Sequence, residues 1–477
     1  MVNQNILSAR YATEAMNEVF SDVGKIPLER DLWLSVMKAQ RELGIDIPTE
    51  TIEKYAAARD KVDLERIKEI ETKRRHEVKA KIEAFTEAAG VEPKEQHLHK
   101  GMTSRDLDDN VWQYQIKKAS EIVFGKFVSI LRHFVDMSRK YGDLIITART
   151  HMQPAQPTVL GRRMAMWAEE LYGHLADFER FIQDYPLRGI KGPVGTQFDM
   201  LTLLGSQEKV ARLEEIVARE LGFSRTLSAP GQVYARSLDS ALISKLALLS
   251  AAPQNYSNTM RLMARGELVT EGFKEGQVGS SAMPHKINAR SAERIWSLSE
   301  LLKTYADGAS RISGAQWEEG DVSDSAIRRV IIPDAFYTAD GVCETTLTVL
   351  NEMVAFPAVI NAELDRYLPF LATTEILMTA VKAGIGREEA HEAIRKYSVQ
   401  AALDIREGKI PRFAQSLAND PVFKNHGIQE SDITALLKDR GHFIGNARIQ
   451  IADVAERARY FLEKYSRQAA YEPEIIL

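Results

Sequence analysis

One cysteine, Cys343, stands in 477 residues, so no disulfide can form within the chain. That usage fits a reducing compartment. Long apolar runs are missing too. The most apolar stretch, ALISKLALLSAAP (241–253), contains Lys245 and is too short to cross a bilayer. The opening residues, MVNQNILSARYATEAM, lack the apolar core of a signal peptide. The expectation is a cytoplasmic protein without a membrane partner. Basic tracts are also absent, and the net charge is -5. Nucleic acid is therefore not an expected partner, although a few local Arg and Lys residues suffice for a small anion. Strand signals are scarce, and there is no internal repeat, low-complexity tract or flexible linker.

Helical periodicity fills the space that these absences leave. Val123, Phe127, Ile130, Leu131 and Phe134 recur at steps of three and four. Leu160, Met164, Trp167, Leu171, Leu175, Phe178 and Ile182 do so over about six turns. Such a stripe predicts a long helix with a bundle seam. A third pattern runs from about 238 to 265, with Pro253 inside it predicting a kink or short break. YPLRGIKGPVGTQFD (185–199) reads as a long loop or small ribbon. The fold class expected is all-α, in three helical domains over 1–102, 103–356 and 357–477. Its helices are too long to cover their apolar faces within one chain, which predicts a homo-oligomer.

Four segments resist the helical pattern. GSSAMPHKINAR (279–290) follows Gly272 and Gly276 and holds Pro284, so it is predicted to stay out of a helix. TARTHMQPAQPT (147–158) carries two prolines three residues apart. It is predicted to present His151 from a constrained loop, with Thr158 capping the long helix. A histidine on its own is more often structural or solvated. HLHKGMTSRDLDDN (97–110) has Thr103 and Asp106 at the spacing of a capping box. A helix start of this kind also favours anions. His97 and His99 lack a clear third ligand, so no metal is expected. GDVSDSAIRRV (320–330) puts Ser325 and Arg329 on one helix face. With Arg328 they form either an anion cradle or a solvated charged surface.

Taken jointly, these segments resemble the fumarase/aspartase superfamily of lyases. GSSAMPHKIN (279–288) is similar to its signature, THMQPAQPT (150–158) to its second block and GMTSRDLDDN (101–110) to its first. Further details resemble the branch that cleaves adenylosuccinate. They are Arg10-Tyr11, Arg75-His76-Glu77-Val78, GQVYAR (231–236) and IGREEAHEA (385–393), and the resemblance covers essentially the whole chain. Three positions depart from the family pattern: Glu77 stands where its motif has aspartate, Ala289 where proline is usual, and Gly320 where many members have arginine.

The resemblance implies β-elimination of fumarate from adenylosuccinate to give AMP, and from SAICAR to give AICAR. It implies Ser280 as general base and His151 as general acid. Lys286 and Asn288 would stabilise the aci-carboxylate, where charge grows only in the transition state. His76 would lie near the substrate phosphate or support the acid. Arg10, Tyr11, Arg75, His76, Glu77, Thr103, Ser104, Gln232, Arg294, Ser325 and Arg329 match substrate-contacting positions. The resemblance also implies a homotetramer with sites shared between chains, and neither cofactor nor metal. Another superfamily enzyme resembling argininosuccinate lyase or a carboxymuconate cycloisomerase, a Ser/Lys hydrolase built on Ser280 or Ser281 with Lys286, and a purely structural oligomer are the competing readings.

Overall fold

A computed structural model describes residues 5–272, 283 and 285–474. It is mainly helical, with two short two-stranded ribbons. The centre is built from long helices: Ser104–Lys140, Leu160–Gln183, Ser237–Leu249, Ala251–Arg265, Arg290–Ile312 and Ser325–Glu352. The predicted stripes face inward. Val123, Phe127, Ile130, Leu131 and Phe134 are buried, as are Leu160, Met164, Trp167, Leu171, Leu175 and Phe178. Trp167 meets Phe134 and Tyr256 at ring-centroid distances of 6.1 and 5.2 Å. Truncating it to alanine would cost about 3–5 kcal/mol.

The break predicted around Pro253 falls at Ser250, between helices 237–249 and 251–265. Pro253 thus sits in a first helical turn, where its missing N–H leaves no bond unmade. Midway along helix 325–352, Asp340 is fully buried. It accepts from the Thr13 N–H and hydroxyl, each at 2.8 Å, and pairs with Lys126. Lys126 also reaches Glu344 at 2.8 Å, and Glu344 accepts from the Tyr471 hydroxyl at 2.7 Å. Both ends of the chain are thereby fastened to the bundle.

Residues 147–158 differ from the predicted loop. Strands Ile145–Thr150 and Gln153–Val159 form an antiparallel hairpin with a bulge between Thr147 and Arg149. A two-stranded ribbon has only edges, where proline's missing N–H is tolerated, so Pro154 and Pro157 did not forbid pairing. Thr158 belongs to this strand and does not cap the next helix; Val159 holds that position without a side-chain bond. The other ribbon pairs Val269–Thr270 with Val354–Ala355.

A second apolar cluster gathers residues between Ala372 and Ile433, including Ile376, Phe413, Leu417 and Phe423. It is separate from the main core. Helix Ala447–Lys464 packs with the main core instead, through Ile451, Val454, Ala458 and Phe461. Among the described residues, no helix is long and apolar enough to cross a membrane.

Candidate active site

The sequence-predicted residues fall into three groups. The first lies where several helices begin. Thr103 and Ser104 open helix 104–140, and the Thr103 N–H donates to Asp106 at 2.8 Å. This is one arm of the expected capping box. Asp106 does far more than cap. Fully buried, it takes Arg188 Nη1 at 2.5 Å and the Lys191 and Gly192 N–H groups at 2.8 and 3.0 Å. Arg188 reaches on to the Gly231 carbonyl at 3.0 Å, which holds the segment carrying Gln232 against the same helix start.

His76 and Glu77 join this group. His76 caps helix Glu77–Ala89 by accepting the Lys79 N–H at Nδ1, 3.3 Å away. Arg75, exposed beside it, has a left-handed backbone with φ 53°. Burial works to raise the Glu77 carboxyl, but Lys81 at 2.6 Å and the charges of Lys25 and Arg329 outweigh it and hold it below the ordinary range. Arg329 is therefore within electrostatic reach of Glu77, and it brings Ser325 with it on the first turn of helix 325–352.

Arg328 is a correction. It does not cradle an anion beside Ser325 and Arg329. It is buried, with Nε donating to Asp239 at 2.7 Å and Nη2 to the Tyr234 hydroxyl at 2.5 Å. Arg236 next to it pairs with Asp109 at 3.1 Å and also with Asp324. These pairs fix the start of helix 325–352 and leave exposed Arg329 as the cation offered outward. Gly320 is likewise required where it stands. Its φ is +131°, and a Cβ there would lie 2.6 Å from Val233 Cγ2.

His99 belongs to the same group, although in sequence it suggests only a weak metal-binding pair with His97. Its Nδ1 accepts the Trp33 indole N–H at 3.1 Å, so its proton sits on Nε2. Burial, and the charge of nearby His76, push it below the ordinary histidine value, against the pull of Asp106. His97 is separate, 2.8 Å from Lys100 Nζ. Among the described residues no group of three or more His, Cys, Asp or Glu is arranged to hold a metal ion.

The second group gathers around the start of helix 290–312. The Arg294 guanidinium lies over the Tyr11 ring, 5.5 Å from its centroid. Arg10 ends the short helix Ile6–Arg10 just before Tyr11. Burial, with Arg290 and Arg10 close by, holds Arg294 below its ordinary value, although Tyr11 and Glu271 pull the other way. Glu271 accepts the Ser291 and Ala292 N–H groups at 2.9 and 3.0 Å. Lys286 and Asn288 precede this helix, Lys286 exposed and Asn288 half-buried. Ser280 lies outside the described residues.

The third group is the hairpin tip. Thr150 pairs with Gln153, so His151 and Met152 form a two-residue turn. Their φ angles are 49° and 64°, the sign pattern of a type I′ turn that ordinarily selects Asn-Gly. Each non-glycine residue held there costs about 1–3 kcal/mol. Both side chains are exposed.

One chain keeps these groups apart. Thr103 precedes a 37-residue helix and the hairpin follows its other end. At 1.5 Å per residue that helix spans about 55 Å. Even a hairpin folded straight back would recover only about 20 Å. Tyr11 packs at Gly341, sixteen residues beyond Ser325 on helix 325–352 and so about 24 Å from its start. No single small molecule within one copy touches all three groups.

The comparisons fit this architecture. A family profile described as "Lyase" matches residues 12–300, and another described as "Adenylosuccinate lyase C-terminus" matches residues 369–454. The chain resembles the solved 3-carboxy-cis,cis-muconate lactonizing enzyme from Pseudomonas putida with a TM-score of 0.81. Identity there is 18%, over 96% of this chain and 100% of that one. A fumarate lyase from a Mesorhizobium species gives 0.78 at 20% identity, over 94% and 98%. At that identity these structures speak for the fold alone. The fold and the "Lyase" match define a lyase of the fumarase/aspartase superfamily. The curated relatives narrow this. Adenylosuccinate lyase of Saccharomyces cerevisiae is 35% identical over 461 residues, 94% of this chain and 93% of that protein. That of Schistosoma mansoni is 35% identical over 426 residues, 88% of each. The chain belongs to the adenylosuccinate lyase family of carbon–nitrogen lyases.

Proposed function

We propose that this enzyme eliminates fumarate from adenylosuccinate to release AMP, and from SAICAR to release AICAR. The observation that carries the reading is the near full-length match to enzymes of that name, joined by the C-terminal profile. In this reading Ser280 removes the proton beside the carboxylate. Lys286 and Asn288 stabilise the charge that grows on that carboxylate in the transition state. His151 protonates the departing purine nitrogen, which leaves poorly as an anion. The Arg10, Tyr11 and Arg294 group, and the His76, Glu77, Thr103, Ser104, Gln232, Ser325 and Arg329 group with Arg75 beside it, hold the ends of the nucleotide. His99, kept neutral with its proton on Nε2, is a hydrogen-bond donor to the same ligand.

A homotetramer with shared sites accompanies this reading. The three groups are too distant within one copy to act on one substrate, which supports their supply by different copies. Exposed Met166, Leu248, Leu262, Trp296, Ile327 and Val330 lie on the central helices and are suited to burial between copies. The three-domain division at 102 and 356 accompanies this reading, and the separate cluster from 372 to 433 supports a distinct C-terminal unit.

The test is fumarate release, followed by absorbance, from adenylosuccinate, SAICAR and argininosuccinate. Turnover of the first two alone is expected. Turnover of argininosuccinate alone would move the enzyme to the neighbouring lyase branch, and fluorophosphonate labelling of Ser280 would instead favour a hydrolase.

A further inference from the structure

The His151 turn is strained and exposed, so something outside it must select its conformation. Helix Pro357–Leu371 packs along both strands of the hairpin. Glu363 and Tyr367 are four residues apart and share one face of that helix. Both meet Arg149, two residues before His151. Glu363 forms an ion pair with the Arg149 guanidinium. The Tyr367 ring lies 5.3 Å beneath the same guanidinium, with Arg366 5.6 Å from the ring as well. Farther along, Gln156 Nε2 donates to the Thr374 hydroxyl at 3.1 Å. The next face of the helix holds Asn361 and Asp365, both engaged by Arg440. Glu363 is thus left to the hairpin. Its carboxylate opposes the positive charges of Arg149 and of half-buried Arg163.

We infer that Glu363 is a positioning residue, which with Tyr367 latches Arg149 and thereby aims the His151 turn. The inference rests on reading His151 as the proton donor. Glu363 itself touches no substrate. Its work is to hold the strand from which the turn projects, so that the imidazole meets the leaving nitrogen in reactive geometry. The bulge beside Arg149 explains why such a latch is needed: it interrupts the ladder between the strand pairs near the bundle and those near the tip.

The experiment compares full-length Glu363→Gln, Glu363→Asp and Tyr367→Leu with the wild type. Glu363→Gln should lower kcat about tenfold to a hundredfold, the effect of a small misplacement of a reacting group. KM should stay within about twofold, because substrate binding is left alone. Glu363→Asp should fall between, and Tyr367→Leu should lose less in the same direction. A readout independent of turnover comes from Met152, 70% exposed beside His151. Its ¹³C-methyl NMR signal, identified with Met152→Leu, should move in Glu363→Gln. Wild-type kcat in Glu363→Gln overturns the inference, as does a loss that only follows the folded fraction with the Met152 signal unmoved. Normal turnover in His151→Ala would remove the proton-donor reading instead, and the methyl signal alone would then decide the latch.

Discussion

The two ends of helix 104–140 are built on opposite terms. At its start the charges sit in buried pairs: Asp106 with Arg188, Asp109 with Arg236, and Asp239 with Arg328 close by. Beyond its other end, His151 stands exposed on a strained turn, steadied by a partly exposed ion pair. Buried ions cost several kcal/mol each to desolvate, and only excellent geometry offsets that. A chain accepts such a cost where backbone and side chains must be in place before the ligand arrives. The hairpin carries no such investment. Its tip side chains, His151 and Met152, are exposed instead. One end is finished by its own buried pairs, and the other is left open to solvent.

The largest expected effect comes from the unfinished end. His151→Ala should lower kcat by about 10²–10⁴, the range of a lost general acid. Its urea unfolding midpoint should stay that of the wild type, because an exposed turn residue packs against little. Ser280→Ala should behave alike. Near-normal turnover in either variant would take that residue out of the mechanism.

At the finished end the order of effects reverses. Arg188→Met leaves Asp106 charged, buried and without its partner. Breaking such a pair costs about 3–5 kcal/mol, so a large drop in the urea midpoint is expected, with turnover lost alongside the fold. An unfolding free energy within about 1 kcal/mol of wild type would show that Asp106 does not depend on Arg188.

Arg328 and Arg329, adjacent in sequence, sharpen the contrast within two residues. Arg329→Met should leave stability unchanged and raise KM, since a hydrogen bond to a charged group is worth about 1.5–3 kcal/mol. Arg328→Met should do the reverse. Gly320→Arg, which installs the residue that the family resemblance leads one to expect there, is expected to cost about 1–3 kcal/mol without improving KM. The left-handed backbone and the closeness of Val233 leave no room for a side chain. A tighter KM in that variant would mean the loop re-forms around the arginine.

Much of this was legible in the sequence because it is local or periodic. The stripes of helices 104–140 and 160–183, the break near Pro253 and the helix start at Thr103 depend on residues a few positions apart. The hairpin was not legible. Prolines read as helix stops were tolerated as edge-strand residues, and pairing of Ile145 with Val159 depends on contacts that no short window contains. Arg328 and Arg329 looked equivalent for the same reason. Which of them turns inward is decided by Asp239, about ninety residues away in sequence. Asp106 read as a cap because its bond to Thr103 is local, whereas its bond to Arg188 is not.

The smallest expected effect tests whether His99 belongs to the finished end. Burial keeps its folded-state pKa below the ordinary 6.5. Above that value the imidazole is neutral in both folded and unfolded chains, and its contribution to stability is fully present. As the pH falls below 6.5, the unfolded chain takes up a proton that the folded chain resists, so stability is lost. His99→Gln keeps an acceptor for the Trp33 indole N–H but does not titrate. Urea midpoints measured at about pH 7.5 and about pH 5.5 should therefore fall more steeply for the wild type than for the variant. Carboxylates and other histidines shift both proteins alike, so the difference in slope belongs to His99. Equal slopes would mean that His99 protonates as readily in the folded chain as in the unfolded one. A cationic imidazole could still contact a phosphate, but it would do so by charge, and the neutral donor fixed by Trp33 would no longer describe this end of the site.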